Sequence, residues 1–324
     1  MKYVIYNYIK KLFSINRRSA ISKVCNSIYA RLTLFWDPIP ECRQIVVEKH
    51  IYNYLKRKYL HVKGGDNNTD ISNEEDFVIW LCWFQGYDDA PLLVKRCIDN
   101  IVSLYGDNYT IKLITKKNFQ QYANLPEYIV EKWMNHKISD AHFSDLIRLE
   151  CLIKHGGCWI DSTVFCSSQE LPDYITKSEL FLFTTFSLND IEVSKISNWL
   201  IAAKPNNILL RETQRMLYAY WRDFDYAINY YIFHLFFTIA ASEFPDEWNK
   251  IPKLNNLNPH VLQWEFDKTY SESRLQMICK WADFHKLTYR LEKTCNKEGC
   301  FYDIMINRGE HFKKGVNINE KADD

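Results

Sequence analysis

The chain has 324 residues, 47% of them apolar and 15% aromatic, with 41 basic against 40 acidic side chains. That composition excludes a disordered polar chain and is enough for a sizeable core. The ten cysteines include no C-x-x-C pair, which excludes a disulfide scaffold or a structural zinc site and reads as small buried hydrophobes in a reducing compartment.

A near-neutral total conceals an asymmetry: residues 1–65 carry 13 basic and three acidic side chains, so the remainder is net acidic. The opening stretch MKYVIYNYIKKLFSINRR sets Val4, Ile5, Ile9, Leu12 and Phe13 against Lys10 and Lys11. This suits a helix lying on an anionic surface, since the lysines come too early for a membrane span. No small-residue cleavage site follows it. The sequence therefore predicts a cytoplasmic protein with peripheral contact to the inner membrane face through residues 1–62. Residues 1–62 read as helices that end in a polar linker over 64–70.

The run Phe77 to Phe84 (FVIWLCWF), closed by Gln85-Gly86, reads as a fully buried strand of a parallel sheet. Pro91 opens a helix over 92–105, and an alternating strand over 109–115 completes a βαβ unit. A helix over 142–155 is stopped by Gly156-Gly157. One strand over 158–166 (CWIDSTVFC) then follows. Further strands are expected over 181–186 and 199–203, with helices over 207–221 and 226–241. After Ile251 the periodicity weakens. The domain reading is a basic helical segment over 1–65, an α/β domain over 66–304 and a polar tail over 305–324.

Chemistry concentrates in two adjoining stretches. Asp145 and Arg148 lie three apart on the predicted helix and share a face. Asp161 and Thr163 lie two apart on the predicted strand and point to one side. The glycine pair between them permits a tight reversal, so the four side chains converge at a strand's carboxyl end, where open α/β sheets bind ligands. A carboxylate within an apolar strand is costly unless it meets a cation or donors. Two carboxylates, an arginine and a hydroxyl suit a nucleotide diphosphate and a divalent cation, Mn²⁺ or Mg²⁺. The sequence holds no Gly-rich phosphate loop, G-x-S-x-G elbow or H-E-x-x-H, and no nucleic-acid partner is expected.

The pattern S-D-x-x-R-x-x-x-L-x-x-x-G-G-x-W-x-D-x-T, carried by Ser144, Asp145, Arg148, Leu152, Gly156, Gly157, Trp159, Asp161 and Thr163, resembles the capsular polysaccharide synthesis protein family. That family is similar to GT32 glycosyltransferases and to the sugar-binding domains of large clostridial toxins. The likeness extends over roughly residues 76–265. It implies a GT-A-type fold, a Rossmann-like mixed α/β sheet, with a UDP- or GDP-linked hexose donor, a divalent metal and retention of anomeric configuration. The acceptor is expected to be a glycan or lipid-linked glycan of capsular or surface polysaccharide synthesis.

By this resemblance Asp145, Arg148 and Asp161 are the catalytic candidates. Trp83, Gln85, Ser144 and Asn198 join them in donor binding; Asn198 and Trp199 are expected to line the acceptor side, with core packing the alternative for Trp199. The metal is expected on Asp161, Thr163 and His260. GT32 members and the toxins carry Asp-x-Asp where this chain has Asp161-Ser162-Thr163, although capsular relatives commonly have threonine there, so His260 is the candidate for the missing ligand, whereas His234 reads as a core histidine. Two rival functions remain open: a non-catalytic nucleotide-sugar-binding or scaffold protein, and sugar-phosphate transfer.

Overall fold

In a computed structural model, residues 40–62, 77–185, 195–290 and 297–309 are described, with side chains from Val47 onward. The amphipathic start of the chain, the 64–70 linker and most of the polar tail lie outside them.

Helix α1 (Pro40–Tyr59) is part of the body rather than a separate segment. Ile51, Leu55 and Tyr59 are buried in the core. The Tyr59 hydroxyl donates to Asp223 at 3.0 Å, and Lys56 and Lys58 pair with Glu243 and Asp223 at 2.8 Å each. The Arg215 guanidinium donates to the Leu60 carbonyl at 2.8 Å and also to that of Val62. Part of the basic surplus is thus spent on the protein's own acids.

Strand β1 (Val78–Cys82), helix α2 (Leu92–Tyr105) and strand β2 (Thr110–Ile114) form the expected βαβ unit. After helix α3 (Glu127–Met134), helix α4 (Asp140–Lys154) begins where the Ser139 side chain accepts from the His142 amide, satisfying an otherwise orphaned donor. Gly156 and Gly157 follow with φ of +70° and +90°. At Gly157 a Cβ would sit 2.1 Å from the Val78 carbonyl oxygen, so only glycine lets strand β3 (Gly157–Ile160) lie this close to β1.

The sequence predicts one strand over 158–166, and here the structure corrects it. The chain leaves the sheet at Asp161 and turns, the Val164 amide donating to the Asp161 carbonyl at 3.0 Å. It re-forms as β4 (Val164–Cys166), which belongs to a different sheet. Strands β5 (Leu180–Thr184) and β6 (Ile196–Ala203) rejoin the main one. The order is β2-β1-β3-β6-β5, with β1 parallel to β2 and β3, and β6 antiparallel to both its neighbours. This is the mixed Rossmann-like sheet expected.

Alternation along the strands builds a core on each face. Trp80, Trp159, Leu182 and Ile201 pack with α1, α4, helix α5 (Ile208–Asp223) and helix α6 (Ile232–Glu243); Ile79, Leu81, Ile160, Phe181 and Leu200 pack with α2. The described residues after Ile251 form regular elements as well. Helix α7 (Glu272–Trp281) leads into β7 (Phe284–Lys286), which pairs antiparallel with β4. The last described turn, Asp303–Asn307, buries Met305 and Ile306 against Leu93 and Cys97 of α2, so packing reaches beyond the expected boundary at 304. Among the described residues no helix is long and apolar enough to cross a membrane, and the seven cysteines whose side chains are described are all free.

Candidate active site

The site forms where β3 ends. Asp161 is fixed by its backbone, its amide donating to the Trp199 carbonyl on β6 at 2.8 Å. The next residue ties the turn to β1 through a bond from Ser162 Oγ to the Cys82 carbonyl at 2.9 Å. Because β6 runs antiparallel with Leu200 opposite Ile160, its earlier residue Asn198 extends past the end of β3. Helix α4 brings Asp145 and Arg148 to the same place.

These side chains form one network. Arg148 Nη1 donates to Asp145 Oδ1 at 2.7 Å and Nη2 to Asp161 Oδ1 at 3.1 Å. The planar fork of arginine allows one cation to hold two carboxylates at fixed separation. Asn198 Nδ2 donates to the same Asp145 oxygen at 2.8 Å, and Trp159 Nε1 to Asp161 Oδ1 at 3.1 Å. The guanidinium also lies over the Trp159 ring, 4.8 Å from its centroid. Only 4% of the Arg148 side chain is exposed, against 28% of Asp161, so the arginine is a buried clamp and the carboxylate its open face.

Lys286, with no counterpart in the sequence reading, completes the network. From β7 its Nζ donates to Asp161 Oδ2 at 2.9 Å and to Thr163 Oγ1 at 2.6 Å. Asp161 and Thr163 do face one way, but through a turn capped by a lysine rather than through strand alternation.

The two carboxyls are driven apart. Burial raises Asp145, with Arg148 only partly opposing it. Burial acts on Asp161 too, but there Lys286 and Arg148 outweigh it and the carboxyl sits below its ordinary range. Carboxylates held in unlike environments take unlike roles.

The other predicted residues sit around this network. Trp83 and Gln85 follow β1 at its carboxyl end. Gln85 is exposed, and the Trp83 ring meets Tyr289 edge-on at 5.5 Å. Trp80, three residues earlier, is core and donates through Nε1 to the Gly156 carbonyl at 2.9 Å. The Ser144 side chain turns to the Cys82 thiol, which burial pushes up to about 12. Trp199 is buried, stacked on Phe183 and bonded through Nε1 to Asn256 Oδ1 at 2.8 Å.

Trp83 Nε1, Arg148 Nε and His234 Nδ1 are buried with no hydrogen-bond partner among the described residues. Groups left this way are uncommon in a finished interior. His234 is therefore not the satisfied core histidine the sequence suggests; burial, with Arg148 and His142 nearby, pushes it down to about 3 and keeps it neutral.

The divalent cation expected on Asp161, Thr163 and His260 is not matched by this arrangement. Both Asp161 oxygens and the Thr163 hydroxyl already meet Arg148, Trp159 or Lys286. The His260 ring is bonded at Nδ1 to the Asn256 carbonyl at 2.8 Å, and burial lowers its pKa. Among the described residues no three His, Cys, Asp or Glu side chains come together as a metal site.

A mixed α/β sheet with an Asp–Arg–Asp cluster at the carboxyl end of its central strand defines the class: an α/β protein whose charged cluster lies where open sheets bind ligands. Residues 34–305 match the family described as capsular polysaccharide synthesis protein, and the chain belongs to that family. It is similar to the O-glycosyltransferase PaGT of Phomopsis amygdali, 24% identical over 176 residues, and to the O-glycosyltransferase braB of Annulohypoxylon truncatum, 28% identical over 171 residues. These matches cover 50% and 48% of this chain but 41% and 39% of the relatives, so the chain spans about two-fifths of the length of the curated relatives it matches. Among solved structures it is similar to the PaToxG glycosyltransferase at 16% identity, covering 87% of this chain and 95% of that one. The TM-score is 0.38, and no residue correspondence is drawn from it.

Proposed function

We propose that the chain is a glycosyltransferase that moves a hexose from a UDP- or GDP-linked donor to a glycan or lipid-linked glycan, in the making of a capsular or surface polysaccharide. Family membership and two relatives named as O-glycosyltransferases support the reaction class. Retention of configuration rests on the family resemblance alone.

One observation carries the reading: Arg148 joins Asp145 to Asp161 at the end of β3, with Asn198 on the same carboxylate. Carboxylates and an amide held this firmly suit the hydroxyls of a hexose, each of which donates and accepts. The positive charge behind them suits a diphosphate. Trp83, just after β1, has an indole nitrogen with no partner among the described residues, and an indole ring there suits stacking against the base.

A thermal-shift screen of UDP- and GDP-hexoses tests this, because a ligand that binds only the folded state raises the melting temperature. A shift in wild type that Asp161→Ala abolishes is the expected result. No shift with any nucleotide sugar counts against the proposal.

Membrane contact is proposed for residues 1–39 rather than 1–62, because α1 is needed in the core. Removing residues 1–39 should abolish co-sedimentation with anionic vesicles, and unchanged sedimentation would exclude the proposal.

A further inference from the structure

We propose that Lys286 provides, within the glycosyltransferase reading above, the positive charge that faces the leaving diphosphate, so that transfer does not require a divalent cation on Asp161 and Thr163.

The lysine is built into place. Strand β7 pairs with β4 so that Lys286 stands opposite Val164, and the Leu287 amide donates to the Thr163 carbonyl at 2.9 Å. Backbone bonds on both sides of the turn thus fix where the side chain starts. Its ammonium ends between Asp161 Oδ2 and Thr163 Oγ1, at 2.9 and 2.6 Å. A hard cation shared by this carboxylate and hydroxyl would occupy that same position.

Charge and ligand number argue in the same direction. Asp145 and Asp161 are matched one for one by Arg148 and Lys286. A divalent ion on Asp161 would have to displace the ammonium or sit beside it, near a buried guanidinium. It would also need several oxygen ligands, and the second position here is a neutral threonine whose oxygen is already engaged. An ammonium, by contrast, has three donors. Two are used on Asp161 and Thr163, leaving one for a phosphate oxygen. At 20% side-chain exposure Lys286 is open enough to reach it.

In the reaction the bond between the anomeric carbon and the diphosphate oxygen breaks, and its electron pair stays on that oxygen. The acceptor hydroxyl oxygen bonds to the anomeric carbon and releases its proton to the departing phosphate or to water. Lys286 keeps its proton throughout and donates a hydrogen bond to the oxygen that gains charge. Fixed donors aimed at developing charge are among the largest contributions to rate.

The test uses the full chain, wild type and with Lys286→Met or Lys286→Arg, with the fold of each variant checked by circular dichroism. Turnover of UDP- and GDP-hexoses is measured in EDTA and with added Mn²⁺ or Mg²⁺. UDP and GDP affinity is measured by calorimetry under the same conditions. Wild type should keep its turnover and affinity in EDTA, Lys286→Met should lower both about tenfold or more, and Lys286→Arg should retain part. The inference is overturned if wild type binds or turns over only with Mn²⁺ or Mg²⁺, or if Lys286→Met binds the nucleoside diphosphate as tightly as wild type in EDTA. Absence of turnover under every condition would instead count against the glycosyltransferase reading, and the calorimetric arm would still decide the role of Lys286.

Discussion

Lys286 Nζ lies 2.9 Å from Asp161 Oδ2, joining the end of the main sheet to the β4–β7 ribbon across 125 residues of chain. With Arg148 on the other oxygen, two cations hold the Asp161 carboxyl below its ordinary range, while burial raises that of Asp145, deeper against the same arginine.

The two aspartates should therefore answer acid differently. Asp161 has a lowered pKa, so its charge stabilises the fold above the unfolded-state value of about 3.9, and that contribution is lost as pH falls through the lower folded value. Asp145 has a raised pKa, so its ionisation costs stability as pH rises through the folded value. Asp161→Asn should melt below wild type at pH 7, with the gap closing only below about pH 4. Asp145→Asn should melt at or above wild type at pH 7, with the curves meeting at a higher pH than for Asp161. Melting temperatures followed by circular dichroism between neutral and acid pH check both.

Arg148 serves two carboxylates from inside the core. Removing it should be severe for stability, because breaking a buried pair costs about 3–5 kcal/mol. Arg148→Lys keeps the charge but not the fork, so it should retain more stability than Arg148→Met yet bind donor poorly. Urea unfolding beside donor affinity separates the two effects.

Gly157→Ala should fail to fold or lose several kcal/mol, since the added carbon would meet the Val78 carbonyl oxygen at 2.1 Å in a backbone with φ of +90°. Gly86, also at positive φ but with open space around it, should tolerate alanine better. Soluble yield and unfolding midpoints of the two variants make the comparison.

Trp80 within β1 and Trp83 just after it should separate by role. Trp80→Ala creates a cavity in the core and should cost about 3–5 kcal/mol. Trp83→Ala should change stability less and weaken nucleotide binding about tenfold, the scale of one lost stacking contact. Calorimetric titration with UDP and GDP, with melting curves alongside, distinguishes them.

Much of this was legible in the sequence because it is local. The apolar run before Gln85 and the glycine pair determine nearby elements, and a three-residue helical spacing puts Asp145 beside Arg148. What escaped depends on distant pairing. The turn at Asp161 reads as strand because Val164 to Cys166 is just as apolar and buried; only its pairing with β7 moves it to another sheet. Lys286 lies in a three-residue strand after a stretch of weak periodicity, and nothing local marks a lysine that will meet Asp161. Chemistry alone points to His260 as the missing partner, whereas the group bonded to Asp161 and Thr163 is that lysine. Residues 47–62 read as a basic helical segment for a similar reason, since charge there masks Ile51, Leu55 and Tyr59, which the structure buries.

The most direct test of the central claim is nucleoside diphosphate release from a panel of UDP- and GDP-hexoses, compared between wild type and Asp161→Asn, with product mass determined on a glycan acceptor. We expect wild type to turn over at least one donor and add a hexosyl unit, with Asp161→Asn slower by about 10²–10³-fold, the scale of one lost electrostatic contact at a reacting centre. Equal turnover by Asp161→Asn, or a phosphohexosyl product, would contradict the account.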